Sequence, residues 1–340
     1  MKAIIKKEAK PGLSLEDAPI PEIQDHEVLI KIKKTSICGT DIHIDLWDDW
    51  AQKNIPVPLI IGHEFMGIIE KVGKNVKSAK EGDRVTGEGH LTCGQCPPCK
   101  QGKKHLCMNT VGVGVHTNGC FAEYLALPEE NVFVLPEFVK DEIAAIFDPF
   151  GNAVHTALSF NLAAEDVLIT GAGPIGIMAA AIAQKAGARN VVITDINDYR
   201  LNLAKELGAT TVVNVGKLPI ENVMKTIGIE HGFTVGLEMS GAPAAFNSIL
   251  ETAQPGANVA LLGILPPETN IDWDLVIFKM LQIKGIYGRE IFGTWIQMVN
   301  LIESGLDLDP LITHRFSADD FAKGFEIMRS GNCGKVILEW

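Results

Sequence analysis

The stretch Val167-Leu168-Ile169-Thr170-Gly171-Ala172-Gly173-Pro174-Ile175-Gly176 decides the reading of this chain. Four residues of strand type run into a Gly-x-Gly-x-x-Gly turn, and the turn opens an Ala-rich helix from Ile175 to Ala186. The segment Val167 to Gln184 carries no charge and is long enough to span a bilayer, but its glycines and Pro174 break it into strand, turn and buried helix. In such a turn Gly171 allows the sharp reversal, Gly173 lets backbone approach a pyrophosphate, and Gly176 lets helix meet strand. The helix N-terminus, with Ile175 in its first turn, offers unpaired amides and a positive dipole end to the phosphates. Asp195, nineteen residues past Gly176, ends the next strand, where its carboxylate would bond both ribose hydroxyls and repel a 2′-phosphate. That favours NAD over NADP. Arg200 lies where an arginine can pair with a 2′-phosphate; beside Asp195 it is read as covering the adenine or ribose. The competing reading is a strand-helix-strand unit with an incidental glycine turn.

Outward from this turn, strands and helices alternate. Strands at Val167–Thr170, Val191–Asp195, Thr211–Val215, Phe233–Met239, Asn258–Gly263 and Gln282–Tyr287 are separated by helices, one at Tyr199–Leu207 and another near Ala244–Ala253. This predicts a doubly wound parallel sheet over 148–292. The first third differs: short β-type runs such as Val28–Ile32, Gly67–Val72 and Phe121–Leu127 are punctuated by glycine and proline, predicting a β-rich domain over 1–147. The last stretch, 293–340, is too short for a third domain and is expected to pack back on the first.

Composition narrows the partners. Thirty basic residues against 42 acidic ones give a net charge of −12, which argues against a nucleic-acid surface. The N-terminus lacks the apolar core of a signal peptide, and no membrane partner is expected. Four of the seven cysteines crowd into fifteen residues, a pattern of metal binding more than of a secreted disulfide scaffold, so the cytoplasm is the expected location.

That crowd is Cys93-x2-Cys96-x2-Cys99-x7-Cys107, enough to close a tetrahedral zinc shell with no position for water. Disulfides and iron–sulfur ligation are the alternatives. A second set, Cys38-Gly39-Thr40-Asp41-Ile42-His43 and Gly62-His63-Glu64, offers sulfur, nitrogen and oxygen, the donor mix of a catalytic zinc with an open position. Taken singly, Cys38 reads as a buried small hydrophobe and His63 as a core histidine, and spacing does not bring them together.

Together these motifs resemble the zinc-dependent medium-chain alcohol and polyol dehydrogenases. The resemblance runs through Gly62-His63-Glu64-x2-Gly67-x5-Gly73-x2-Val76, Cys38-Gly39-Thr40-Asp41, the four-cysteine loop and Gly171-x-Gly173-x-x-Gly176. It implies a GroES-like catalytic domain interrupted by a Rossmann NAD-binding domain, and a homotetramer. It makes Cys38, His63 and Glu64 ligands of catalytic zinc, and Cys93, Cys96, Cys99 and Cys107 holders of structural zinc. It makes Thr40 and His43 a proton relay, and Ile175, Asp195, Arg200, Leu262-Gly263-Ile264 and Ile286-Tyr287 the NAD contacts. Where many polyol dehydrogenases carry glutamate before proline, this chain has Asp148-Pro149. The shorter Asp148 is read as orienting the bound water or serving the relay from outside the ligand set, with helix capping as the competing role.

Within the family, Gly87-Glu88-Gly89-His90, Asp148–Leu158 and Gly285–Glu290 resemble the members that oxidise the Cβ hydroxyl of L-threonine with NAD, giving 2-amino-3-oxobutanoate. His90, Glu88 and Asn152 are candidate partners of the substrate's charged groups by that resemblance alone. A polyol or secondary-alcohol substrate is the nearer alternative, and a non-catalytic NAD-binding protein the more distant one.

Overall fold

Strand Glu27–Ser36 is the spine of the first half of the molecule. Val28, Ile30 and Ile32 alternate toward one face and are buried, as a strand with one face on a core requires. It is central to a seven-stranded sheet ordered Val132–Val134, Arg84–Gly87, Phe65–Val72, Glu27–Ser36, Lys335–Glu339 and Ile312–Ser317, with Tyr124–Pro128 also pairing the central strand. Two registers matter for the site. Thr35 lies opposite Phe65, and Ser36 lies opposite Ile337, both antiparallel. After the central strand come helix α1 (Gly39–Leu46) and the short helix α2 (Asp49–Asn54).

The computed structural model describes all 340 residues and groups them into two units: Met1–Asp148 with Ile312–Trp340, and Pro149–Leu311. Helix α3 (Phe147–Ala157) begins at the end of the first stretch.

In the second unit six parallel strands run in the order Thr211–Asn214, Asn190–Asp195, Asp166–Thr170, Phe233–Glu238, Ala253–Leu261 and Gln282–Gly285. The strand order reverses between Asp166–Thr170 and Phe233–Glu238, so the crevice at their carboxyl ends is where such a sheet takes a ligand. Leu168, Val192, Val235 and Val259 are buried, because helices cover both faces. Helix α4 (Pro174–Lys185) follows the glycine turn with Gly173 as its N-cap and proline at its first position.

Two expectations change. The second boundary falls between 311 and 312, not 292 and 293: helix Gly293–Glu303 groups with the second unit, where its buried Trp295 packs against Phe292 and under the Arg289 guanidinium. The strand expected over Asn258–Gly263 runs instead over Ala253–Leu261, beginning directly after the preceding helix, with an irregularity in its pairing to the neighbouring strand between Phe233 and Val235.

Candidate active site and metal centres

The strand registers bring the first donor set together. Because Thr35 pairs with Phe65, the residues just past one strand end and just before the other emerge side by side, and Ser36 N–H donates to the Glu64 carbonyl at 3.1 Å. Cys38 and the pair His63-Glu64 therefore meet although twenty-five residues separate positions 38 and 63. Their sulfur, ring nitrogen and carboxylate oxygen lie within 4.8 Å of one another. On the other side, Ile37 N–H donates to the Val336 carbonyl, and the next residue inward, Lys335, reaches the site. Its Nζ sits 2.6 Å from Glu64 Oε2 and 3.0 Å from the Ile37 carbonyl.

Two atoms of this set, His63 Nδ1 and Glu64 Oε1, are closed from water and have no hydrogen-bond partner. A buried polar atom left unpaired costs about 1–3 kcal/mol, and a cation among these donors would relieve it. The charges point the same way. Burial alone would lower the His63 pKa, yet Cys38, Asp41 and Asp148 beside it raise it well above the ordinary imidazole value. Burial pushes the Asp41 carboxyl up to about 6, opposed by His63 and by the Cys38 amide that donates to it at 2.9 Å. A soft sulfur, a nitrogen and a carboxylate in a partly buried, cation-seeking niche suit zinc with one position open.

Thr40 stands beside the donors, its Oγ1 3.8 Å from Cys38 Sγ. His43 lies one turn further along α1 and exposes 58% of its side chain, so the same helix leads from the donors toward water. Asp148 lies in the first turn of α3 and is nearly buried. It is near enough to His63 to act on its charge, but it lies outside the three-donor cluster. Of the candidate substrate partners, His90 Nδ1 is 2.8 Å from the fully buried Glu88 carboxylate, while Asn152 Oδ1 accepts from Arg289 at 3.3 Å.

The four-cysteine loop closes on itself. All four Sγ atoms fall within 4.8 Å, with Cys93–Cys107 at 3.5 Å and Cys96–Cys107 at 3.9 Å. Tetrahedral thiolates around one zinc stand about 3.8 Å apart by simple geometry from a Zn–S bond of about 2.3 Å. Disulfide sulfurs would be about 2 Å apart, and every cysteine here is a free thiol. The separations suit one ion better than an iron–sulfur cluster, which places several atoms among its thiolates. Backbone N–H groups of Cys93, Cys96 and Asn109 point at sulfurs 3.3–3.4 Å away. Amides of Gln95 and Cys96 draw the Cys93 pKa down to about 6, whereas burial, with Cys96 and Cys107 adding to it, pushes Cys99 up to about 12.

In the second unit the glycine turn is shaped for a ligand. A Cβ on Gly176 would lie 2.0 Å from the Gly171 carbonyl oxygen, so helix and turn touch through bare backbone. A Cβ on Gly173 would meet nothing within 4 Å, leaving open space at the helix N-terminus where a pyrophosphate would lie. Asp195 Oδ2 accepts from Ala172 N–H at 2.7 Å, and Oδ1 accepts from Ile196 and Asn197, which ties the acid to the turn. Arg200 stands in the first turn of the following helix. Half-exposed Ile175, the Leu262-Gly263-Ile264 segment and Ile286-Tyr287 follow the carboxyl ends of their strands, so they share the edge on which the turn and Asp195 lie.

Three buried groups escaped the reading of the sequence. Lys335 and Asp41 stand beside the first donor set, Lys335 paired with Glu64 and Asp41 accepting from the Cys38 amide. Glu238, wholly buried, accepts from the amides of Ser240 and Gly241, while its own carbonyl accepts from Leu262 and Gly263. It thereby joins the segment beside Gly171 to the segment at 262–264. The one sequence signal for such groups is a charge inside an apolar strand, as in Gly334-Lys335-Val336-Ile337-Leu338.

Known proteins give the same picture. Residues 24–137 match the alcohol dehydrogenase GroES-like domain, and residues 174–304 match the zinc-binding dehydrogenase family. The chain is 63% identical to an L-threonine 3-dehydrogenase of Protochlamydia amoebophila and 60% identical to that of Escherichia coli K12, each over the full length of both chains. Among solved structures, it superposes on galactitol-1-phosphate dehydrogenase from Escherichia coli with a TM-score of 0.92 at 29% identity, covering all of both chains. An Escherichia coli CFT073 alcohol dehydrogenase complexed with NADH gives 0.91 at 31%, covering 100% of this chain and 99% of that one.

Proposed function

We infer the activity from membership: the chain belongs to the zinc-dependent medium-chain dehydrogenases and, within them, to the L-threonine 3-dehydrogenases, and it oxidises the Cβ hydroxyl of L-threonine with NAD to 2-amino-3-oxobutanoate. The observation that carries the chemistry is the convergence of Cys38, His63 and Glu64 beside Thr40. The choice of threonine rests on full-length identity of 60–63% to enzymes of that name, against 25–31% for the polyol and alcohol dehydrogenases among the structural neighbours.

Zinc on Cys38, His63 and Glu64 would supply Lewis-acid stabilisation of the substrate oxygen, and NAD would be the hydride acceptor. The chain's own groups handle the proton. Thr40 takes it from the substrate hydroxyl, and His43 releases it to water; an imidazole suits that outer step because its ordinary pKa lies near neutrality. Asp148 acts from outside the ligand set, orienting groups near His63. The four-cysteine loop holds a second zinc that is purely structural, since four thiolates leave no open position. Gly171, Gly173, Ile175 and Gly176 receive the pyrophosphate, Asp195 binds the ribose hydroxyls and Arg200 covers them. The remaining nucleotide wall is Leu262-Gly263-Ile264 with Ile286-Tyr287.

The oligomer fits the second unit's edge. The outermost strand, Gln282–Gly285, pairs on one side only, and Trp273, Ile277, Phe278 and Met280 nearby in sequence are exposed. Apolar groups of that size favour burial against another copy, in keeping with a homotetramer. No helix is long and apolar enough to cross a membrane, and a reduced cytoplasm suits the free thiols.

The test is reduced-cofactor formation by zinc-loaded protein with L-threonine and NAD, repeated with NADP, sorbitol and 2,3-butanediol. Turnover confined to threonine and NAD, and abolished by a chelator, is the expected result. Turnover of an alcohol but not threonine overturns the substrate. Cys38→Ser is expected to abolish turnover while NAD still binds; retained activity would remove Cys38 from the metal.

A further inference from the structure

The loop between α1 and α2 holds His43 in a way that the relay alone does not explain. Helix α1 ends at Leu46, Trp47 takes the left-handed conformation (φ 55°), and the chain turns so that Asp48 becomes the N-cap of α2. Asp48 then divides its two oxygens. Oδ1 accepts from the amides of Trp50 (3.1 Å) and Ala51 (3.0 Å), the ordinary work of a cap. Oδ2 is left over, and it lies 2.5 Å from Nδ1 of His43. The Trp50 ring stands edge-on to the imidazole, centroids 6.1 Å apart, and flanks it.

An ionised carboxylate has no proton to donate, so in this pair Nδ1 must be the donor. Burial opposes ionisation of Asp48, but the Ala51 amide and His43 outweigh it and hold the carboxyl below its ordinary range. Nδ1 therefore keeps its hydrogen whether the ring is neutral or charged. The only nitrogen whose protonation changes is Nε2.

We propose that Asp48 is a positioning residue of the relay: it fixes His43 as the Nδ1–H tautomer, so that Nε2 alone accepts the substrate-derived proton and hands it to water. The inference rests on the relay role of His43 given above. The step balances simply. Nε2 gains the one proton that leaves the substrate by way of Thr40 and loses one to solvent, while the Nδ1–H bond is unchanged. An imidazole free to exchange tautomers would present a hydrogen, not a lone pair, in part of its population, and those molecules would be unable to accept.

Capping and tautomer control can be separated. In Asp48→Asn the amide oxygen can still cap α2, but the NH2 group faces His43 and converts Nδ1 into an acceptor, which moves the ring hydrogen to Nε2. Asp48→Ala loses both functions. The experiment compares kcat and KM of the zinc-loaded wild type, Asp48→Asn, Asp48→Ala and His43→Ala, with thermal melts of each and nitrogen NMR of the His43 ring in the first two. Expected are a melt for Asp48→Asn close to wild type, a hydrogen moved from Nδ1 to Nε2, and KM values changed by less than about twofold. Its kcat should fall about tenfold, modest beside the range of about 10²–10⁴ for general acid–base groups because an exposed imidazole regains its tautomer through water. A wild-type kcat in Asp48→Asn, or an unmoved ring hydrogen, with His43→Ala slow overturns the Asp48 proposal and leaves the relay standing. Wild-type turnover in His43→Ala removes the relay, and this proposal with it, whatever Asp48→Asn does.

Discussion

Lys335 and Glu64 form an ion pair at 2.6 Å with side chains only 3% and 0% exposed, 271 residues apart in the chain. Burying two charges is favourable only when each has its partner, and removing one partner of such a pair costs about 3–5 kcal/mol. Burial works against the charge on Lys335, but Glu64 and Cys38 beside it raise its pKa, so the ammonium stays charged.

Lys335→Met should therefore lower the urea midpoint of the metal-free protein by an amount equal to about 3–5 kcal/mol. Zinc should restore part of the loss, because a cation beside Glu64 replaces the missing charge. An unchanged midpoint would show that the pair carries no net stability.

Asp195 is predicted to govern cofactor choice through charge. Asp195→Asn keeps an oxygen for the amides of Ile196 and Asn197 but deletes the repulsion of a 2′-phosphate. We expect kcat/KM with NADP to rise on the order of tenfold and that with NAD to fall, since removing a repulsive element relaxes specificity. Rates with the two cofactors, measured in parallel, decide it; an unchanged ratio places the discrimination elsewhere.

The four-cysteine loop should matter for stability and not for chemistry. Cys99→Ser deletes the most buried of the four sulfurs, and the variant should fail to hold a metal in the loop while keeping one at Cys38, His63 and Glu64. Losing that metal is expected to cost at least about 3 kcal/mol, or about 6–12 °C in Tm for a unit of this size. Metal content and a thermal melt measure both, and loss of turnover at low temperature with an unchanged melt would reverse the assignment.

A pH effect follows from Glu142. Arg315 donates to both of its oxygens, at 2.8 and 2.7 Å, and Lys34 adds a third contact. The Arg315 hydrogen bonds lead in holding the Glu142 pKa below the ordinary glutamate value of 4.5, against burial. A depressed folded-state pKa means stability present above 4.5 and lost as pH falls through the folded value. Glu142→Gln should cost up to about 1 kcal/mol near neutrality and flatten the acid limb of Tm against pH. An acid limb identical to wild type would remove Glu142 as a contributor.

Much of this was legible in the chain itself, for identifiable reasons. The parallel sheet announces itself because its strands are buried on both faces and its helices are short, so apolar runs and glycine turns mark them one after another. The strands at Val167–Thr170 and Val191–Asp195 are found within one residue of their expected bounds. The four-cysteine loop is legible because its donors are local. The meeting of Cys38 with His63 is not, since it depends on Thr35 pairing with Phe65, a register set by the sheet as a whole. Lys335, Glu238 and Asp48 were not legible as functional groups for a related reason: the partner of each depends on a fold that spacing does not show, a distant strand for Lys335, the turn after its own strand for Glu238 and the reversal at Trp47 for Asp48. Amphipathic spacing in Gly293–Glu303 shows that a face is buried but not against what, so its grouping with the second unit is not legible in the sequence.

The pairing of Ser36 with Ile337 also has a consequence for biosynthesis. The wall of the metal niche that carries Lys335 is synthesised 271 residues after Glu64. Until then Glu64 has no counter-charge and the central strand lacks its neighbour on that side. The cysteine loop has all four of its candidate ligands by residue 107, long before the wall beside Cys38, His63 and Glu64 is in place. The order of synthesis thus separates the two donor sets in time, and a chain stopped before Lys335 would hold the four cysteines without the ion pair that walls the other set.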